Sequence, residues 1–81
     1  MIKLYLRADC PYCRKVLNAV EKMGLQEQQD YIIIDAQAGT PGRDVVLKTG
    51  GKAMVPFLMD GDHSMYESDD IIAWIRKKYA E

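Results

Sequence analysis

The chain has 81 residues and a net charge of −1, with 48% hydrophobic and 28% charged residues. These values are typical of one small globular domain and leave no basic surface for nucleic acid or anionic lipid. No apolar run approaches the roughly 20 residues that span a bilayer, and the N-terminal run is too short for a signal peptide. We therefore expect a single domain over residues 1–81, in the cytoplasm, with neither nucleic acid nor membrane as a partner.

Local patterns predict four strands and three helices. The predicted strands are residues 2–6, 31–35, 55–60 and 63–67. The stretch Tyr31–Asp35 is typical of a strand buried on both faces. Helices are predicted from Pro11 and Pro41, since proline is favoured in a first helical turn, and Ser68 is predicted to cap the third. Gly61–Asp62 predicts a tight turn. The order β-α-β-α-β-β-α indicates an α/β sandwich with helices on both faces of the sheet.

The chain's two cysteines, Cys10 and Cys13, lie where the first strand gives way to the first helix. A disulfide closing so short a loop would contribute only about 2 kcal/mol, which makes a structural bridge a poor explanation. A structural zinc site needs four ligands, and one histidine, His63, cannot complete the set within one chain. A cluster shared between two copies remains open.

A reactive thiol fits the position best. Cys10 lies at the N-terminal edge of a helix that begins at Pro11, where unpaired N–H groups and the helix dipole favour an anion. Cys13 lies on the same side of the first turn and can reach Cys10 to form a disulfide. Arg7 adds a nearby cation that favours the thiolate, whereas Asp9 opposes it.

Three motifs together resemble the dithiol glutaredoxins. They are "CPYC" after the first strand, "MVPF" at the start of the third strand and "SDD" at the last helix, and the resemblance covers the whole chain. It implies a thioredoxin-like fold in a single glutaredoxin domain. The implied sheet is mixed, with four strands in the order 2-1-3-4 and only the fourth strand antiparallel.

The same resemblance implies the roles of the reactive residues. Cys10 would be the nucleophile and Cys13 the resolving thiol, and the two would form a redox-active disulfide. The backbone of Val55 would pair with the cysteinyl unit of glutathione, beside a cis-proline at Pro56. Tyr12 would form a wall of the groove.

The two ends of glutathione are assigned in the same way. Ser68 and Asp69 would hold the γ-glutamyl end. Arg7 and Arg43 would face the glycyl carboxylate. No metal ligand is implied, and glutathione is the implied co-substrate.

Two departures from the glutaredoxin pattern stand in these motifs. Met54 replaces the usual threonine, and Tyr66–Glu67 replace the usual pair of glycines. The segment "MYESDDI" is instead similar to the N-terminal domain of glutathione transferases, in which a Glu-Ser pair grips the γ-glutamyl group. Glu67 is therefore added to the predicted glutathione-binding residues.

The resulting hypothesis is a monomeric, glutathione-dependent thiol–disulfide oxidoreductase. It would reduce protein–glutathione mixed disulfides and protein disulfides, and glutathione reductase would recycle the glutathione. Two alternatives stay open: a dimer binding a glutathione-ligated [2Fe–2S] cluster, and a glutathione-transferase-like binding module.

Overall fold

The computed structural model describes residues 1–79 and places three helices around a four-stranded sheet. The elements are β1 (Ile2–Leu6), α1 (Pro11–Lys22), β2 (Tyr31–Asp35), α2 (Pro41–Gly50), β3 (Phe57–Asp60), β4 (His63–Tyr66) and α3 (Ser68–Tyr79). The predicted α/β fold and element order are confirmed. Residues 80 and 81, which close the predicted domain, lie outside the described residues.

The sheet has the predicted strand order β2-β1-β3-β4. β1 and β2 are parallel, with Leu4 opposite Ile33. β3 runs antiparallel to β1, with Leu4 opposite Leu58, and β4 runs antiparallel to β3, with Leu58 opposite Met65. The prediction that only the fourth strand is antiparallel is therefore wrong. β3 is the strand that opposes the other three.

The direction of β3 follows from the position of α2. A Cβ at Gly42 would overlap the carbonyl oxygen of Asp35, so α2 begins against the end of β2. The other end of α2, at Gly50, lies against Tyr66, which is opposite Phe57 at the start of β3. Both ends of α2 thus lie near the same end of the sheet, the one at which β1 and β2 finish. The chain enters β3 from that end, which makes β3 antiparallel to β1.

Helices cover both faces of the sheet, as predicted. One face packs against α1 and α3 through apolar side chains that include Val16, Val20, Ile71 and Ile75. The other face packs against α2 through a smaller cluster of Tyr5, Ala36, Val46 and Phe57.

The strand β2 differs from its prediction. Ile32, Ile33 and Ile34 are half-buried and Asp35 is exposed. The reason is that β2 lies at an edge of the sheet, so the prediction of burial on both faces is wrong.

The helix starts set the geometry of the site. α1 and α2 begin at the predicted prolines, after Cys10 and Thr40 as N-caps. Ser68 was predicted to cap α3, but it is the first helical residue, and the carbonyl of Glu67 accepts the hydrogen bond from the N–H of Ile71. No helix within residues 1–79 is long and apolar enough to cross a membrane.

Candidate functional site

The two cysteines lie together at the start of α1. Cys10 is the N-cap, and its Sγ accepts a hydrogen bond from the backbone N–H of Cys13 at 3.2 Å. Both thiols are free, and both residues are buried. Because the N–H group is part of the first helical turn, the helix directs a partial positive charge at the Cys10 sulfur. A thiolate at Cys10 would be stabilised by this contact.

The two thiols are not equivalent. Burial, and to a smaller extent a hydrogen bond to Cys10, raises the pKa of Cys13 to about 12. A hydrogen bond from the backbone of Arg7 acts in the opposite direction on that pKa but does not offset burial. At neutral pH the Cys13 thiol therefore keeps its proton and is not a nucleophile.

A cleft of about 280 Å³ lies between α1, the segment before β3 and the start of α3. Its lining residues are Tyr12, Met54, Val55, Pro56, Glu67 and Ser68. The sequence predicts five of the six as glutathione-binding residues, and the sixth, Met54, is a departure from the glutaredoxin pattern. The peptide bond between Val55 and Pro56 is cis, as predicted. We call this cavity the cis-proline cleft.

The two predicted arginines line an adjoining cavity of about 490 Å³. This second cavity shares Met54 and Val55 with the cis-proline cleft, so the two form one groove along that segment. Arg43 is half-buried, and its Nε donates a hydrogen bond to the carbonyl oxygen of Ala36 at 2.9 Å. That bond holds the guanidinium group beside the groove. Arg7 is exposed at the same cavity.

The predicted γ-glutamyl residues are divided between two surfaces. Glu67 and Ser68 line the cis-proline cleft. Asp69 lines a different cavity between α1 and α3, and its carboxylate lies 2.6 Å from the Nζ of Lys15. Glu67 has a φ of 77°, in the left-handed region that favours glycine. A glycine pair at this position in glutaredoxins fits the same backbone geometry.

One contact at the site was not anticipated. The hydroxyl of Tyr66 bonds to both backbone groups of Lys52, ahead of Met54 and Val55. In the sequence, the replacement of a glycine pair by Tyr66–Glu67 indicates that this position is unusual. It does not identify Lys52 as the partner of the Tyr66 hydroxyl, because that contact depends on the tertiary fold.

Two further cavities border α1. The largest, about 720 Å³, lies between α1 and α3, and neither cysteine is among its lining residues. Another, about 500 Å³, lies on the β2 side of α1 and is lined in part by Arg7, Cys13 and Arg14. Neither cysteine is among the residues that line the cis-proline cleft, and Cys13 lines the cavity of about 500 Å³, which shares Arg7 with the cavity of the two arginines.

Metal binding by one chain finds no support in this site. Among residues 1–79, no three His, Cys, Asp or Glu side chains are grouped as metal ligands. A cluster shared between two chains would draw its ligands from both, so this observation does not bear on that alternative.

Glutathione transferases of known structure share the fold of this chain. An epsilon-class glutathione S-transferase from the housefly, Musca domestica, matches 100% of the chain with a TM-score of 0.81 and 20% identity. Glutathione transferase Omega 3C from Trametes versicolor matches 99% with a TM-score of 0.82 and 21% identity. Human glutathione S-transferase T1-1 matches 99% with a TM-score of 0.80 and 23% identity. The chain covers 36%, 34% and 33% of these three proteins, respectively.

These likenesses define the class of protein as a thioredoxin-like glutathione transferase N-domain fold. The family model of the glutathione S-transferase N-terminal domain matches residues 4–81. The chain therefore belongs to the glutathione S-transferase N-terminal domain family. The resemblance of "MYESDDI" to that domain is thereby confirmed, and the predicted co-substrate, glutathione, is the one this family uses. The identity as a dithiol glutaredoxin stays a prediction.

Proposed function

We propose that this domain binds glutathione in the groove along Met54 and Val55 and catalyses thiol–disulfide exchange through Cys10. The observation that carries the proposal is the Cys10 sulfur at the N-terminus of α1, bonded to the N–H of Cys13 at 3.2 Å. Beside that helix start lies the cis-proline cleft, which Tyr12 lines. A nucleophile and a binding groove thus adjoin each other.

Glutathione is proposed to lie along the groove in an extended conformation. The backbone of Val55 would pair with its cysteinyl unit, and Glu67 and Ser68 would bind the γ-glutamyl end. The glycyl carboxylate would point to Arg7 and Arg43 in the adjoining cavity. The arginines would match the charge of the glycyl carboxylate. The γ-glutamyl end carries both an ammonium group and a carboxylate, so Glu67 would face the ammonium group and the N-terminus of α3 at Ser68 would face the carboxylate.

The reaction proposed is the reduction of a protein–glutathione mixed disulfide. The Cys10 thiolate attacks the glutathione sulfur, the disulfide bond of the substrate breaks, and the protein thiolate leaves and takes up a proton. A second glutathione, as its thiolate, then attacks the sulfur of glutathione bound to Cys10. Oxidised glutathione leaves and the Cys10 thiolate is restored, so glutathione supplies both electrons.

The buried Cys13 thiol favours this one-cysteine route. To form the Cys10–Cys13 disulfide, Cys13 must attack as a thiolate, and burial opposes its ionisation. The hydrogen bond to Cys10 is lost once Cys10 is in a mixed disulfide, but the burial remains. We therefore propose that reduction of protein disulfides, which needs both cysteines, is the slower activity of this domain.

A second candidate function follows from the family. The chain covers only about a third of the glutathione transferases that share its fold, and its family model is named for one domain of such proteins. The domain could therefore serve as the glutathione-binding part of a transferase acting on small electrophiles. A single domain, a monomeric state and a cytoplasmic location belong to the first proposal and not to the second.

The test is a coupled assay with glutathione, glutathione reductase and a small mixed disulfide of glutathione. The unmodified protein and a Cys13→Ser variant are expected to turn over, whereas Cys10→Ser is expected to be inactive. If the unmodified protein shows no turnover in this assay but conjugates glutathione to a small aryl halide, the second candidate is correct and the first is wrong.

A further inference from the structure

The segment between α2 and β3 forms one wall of the cis-proline cleft. It runs from Gly51 to Pro56 and has neither helical nor strand structure. It nevertheless carries Met54 and Val55, which line both halves of the groove. A backbone that binds a ligand must be held in place, and here the sheet and helix ladders do not hold it.

The hydroxyl of Tyr66 bonds to this segment in two ways. It accepts a hydrogen bond from the N–H of Lys52 at 3.0 Å, and it donates one to the carbonyl oxygen of Lys52 at 2.6 Å. One side chain thus satisfies both backbone groups of a residue just before the groove, as a neighbouring strand would.

The Tyr66 ring is itself firmly placed. Tyr66 is the last residue of β4 and lies opposite Phe57, and the two ring centroids are 4.7 Å apart. A Cβ at Gly50 would overlap the Tyr66 hydroxyl, so the end of α2 leaves room for that group only because residue 50 is glycine. The hydroxyl also lies 3.5 Å from the carbonyl oxygen of Val46.

We propose that Tyr66 is a positioning residue that ties the two walls of the glutathione groove together. Its hydroxyl holds Lys52, and hence the wall with Met54 and Val55, while its backbone leads directly into Glu67 on the opposite wall. The tie sets the distance between the groups that bind the cysteinyl and γ-glutamyl parts of glutathione. This inference rests on the proposed function, because it names how the same groove is shaped.

The first test compares Tyr66→Phe with Tyr79→Phe in the full chain. Each variant removes one hydroxyl bonded to backbone, since the hydroxyl of Tyr79 donates to the carbonyl of Asp30 at 3.0 Å, away from the groove. In the coupled assay, Tyr66→Phe should raise the KM for glutathione about tenfold with kcat unchanged, the pattern of lost uniform binding. Tyr79→Phe should leave that KM within about twofold. A merely destabilised variant would lower kcat and leave KM as it was.

The second test measures amide hydrogen exchange and needs no glutathione. Exchange at Lys52 and Val55 should be faster in Tyr66→Phe than in Tyr79→Phe, and Gly50→Ala, which displaces the hydroxyl, should have the same effect. If the unmodified protein fails to use glutathione, the proposed function is wrong, and the exchange rates still decide whether Tyr66 holds the segment. Unchanged exchange, or an unchanged KM in an active Tyr66→Phe variant, would overturn the inference.

Discussion

Lys15 on α1 and Asp69 on α3 form an ion pair, with 2.6 Å between Nζ and Oδ1. The pair draws Asp69 to the cavity between the two helices, whereas Glu67 and Ser68 line the cis-proline cleft. The glutaredoxin resemblance implies that Asp69 grips glutathione, and the transferase resemblance assigns that duty to the Glu67–Ser68 pair. The two resemblances therefore make different predictions for the same three residues.

We expect Asp69→Asn to change the Kd for glutathione by less than about twofold, because an exposed ion pair contributes little to the groove. Glu67→Gln and Ser68→Ala should each weaken binding about tenfold, as expected for loss of a hydrogen bond to a charged group. Isothermal titration of glutathione into the three variants measures this. A loss with Asp69→Asn as large as with Glu67→Gln would show that Asp69 contacts the ligand.

The left-handed backbone of Glu67 should make the Glu67→Gly variant more stable but weaker in glutathione binding. A residue other than glycine in the left-handed region costs about 1–2 kcal/mol, and glycine itself costs about 0.5–1 kcal/mol more to order. Glu67→Gly should therefore raise the free energy of unfolding by about 0.5–1 kcal/mol while weakening glutathione binding. Urea denaturation checks the first effect. Glu67→Gln keeps the strained φ, so it should lose affinity without gaining stability.

The buried Cys13 thiol makes the stability of the domain fall at alkaline pH. Its pKa is raised to about 12, mainly by burial, from an ordinary value near 9. The folded protein thus holds the thiol proton more tightly than the unfolded chain, so this contribution is complete below about pH 9 and is lost as the pH rises towards 12. The slope should be at most about 1.4 kcal/mol per pH unit.

The check is chemical denaturation of the reduced protein over that pH range. Cys13→Ala should be less stable at every pH because of the cavity it creates, but its stability should decline less steeply than that of the unmodified protein. Tyr5 and Tyr31, whose pKa values are also raised by burial, leave a residual slope in both proteins. Parallel slopes would contradict the assignment to Cys13.

At acid pH the relevant group is Asp60. Hydrogen bonds from Lys78, at 2.9 Å, and from Trp74, at 3.0 Å, lower the pKa of its carboxyl group, with burial opposing them. The depressed pKa means that this stability is present above about pH 4 and is lost as the pH falls through the folded-state pKa.

Lys78→Met should therefore lower stability at neutral pH and flatten the decline of stability below pH 4. Lys77→Met, one residue away and also exposed, is the matched control and should do neither. Trp74 is the only tryptophan of the chain and bonds to Asp60, so its fluorescence reports the transition directly. Equal effects of the two lysine variants would show that the Asp60–Lys78 contact does not cause the decline of stability below pH 4.

The features of the fold that could be predicted from the sequence are those set by the local geometry of a few neighbouring residues. The prolines at residues 11 and 41 and the turn at Gly61–Asp62 mark element boundaries through backbone geometry alone, and all three lie where predicted. The direction of β3 could not be read in this way. A helix that runs back along the strands and one whose two ends both lie at the same end of the strands have the same amphipathic pattern.

The same distinction between local and tertiary geometry applies to the residues of the candidate site. Tyr12, Val55 and Pro56 belong to short motifs whose geometry is local, and the structure gathers them in one cleft. The pairing of Asp69 with Lys15 depends on how α1 crosses α3. The bond from Tyr66 to Lys52 likewise depends on how β4 faces the end of α2, and neither contact has a local signature in the sequence.

The most direct test of the central proposal, that Cys10 is the nucleophile, is the intact mass of the protein after brief exposure to oxidised glutathione. The Cys13→Ser variant should gain one glutathione, mapped by peptide analysis to Cys10, with one equivalent of reduced glutathione released. The Cys10→Ser variant should gain none in that time, because its remaining thiol, Cys13, has a raised pKa and keeps its proton. An adduct on Cys13 in Cys10→Ser that forms as fast, or no adduct on Cys10 in Cys13→Ser, would contradict the proposal.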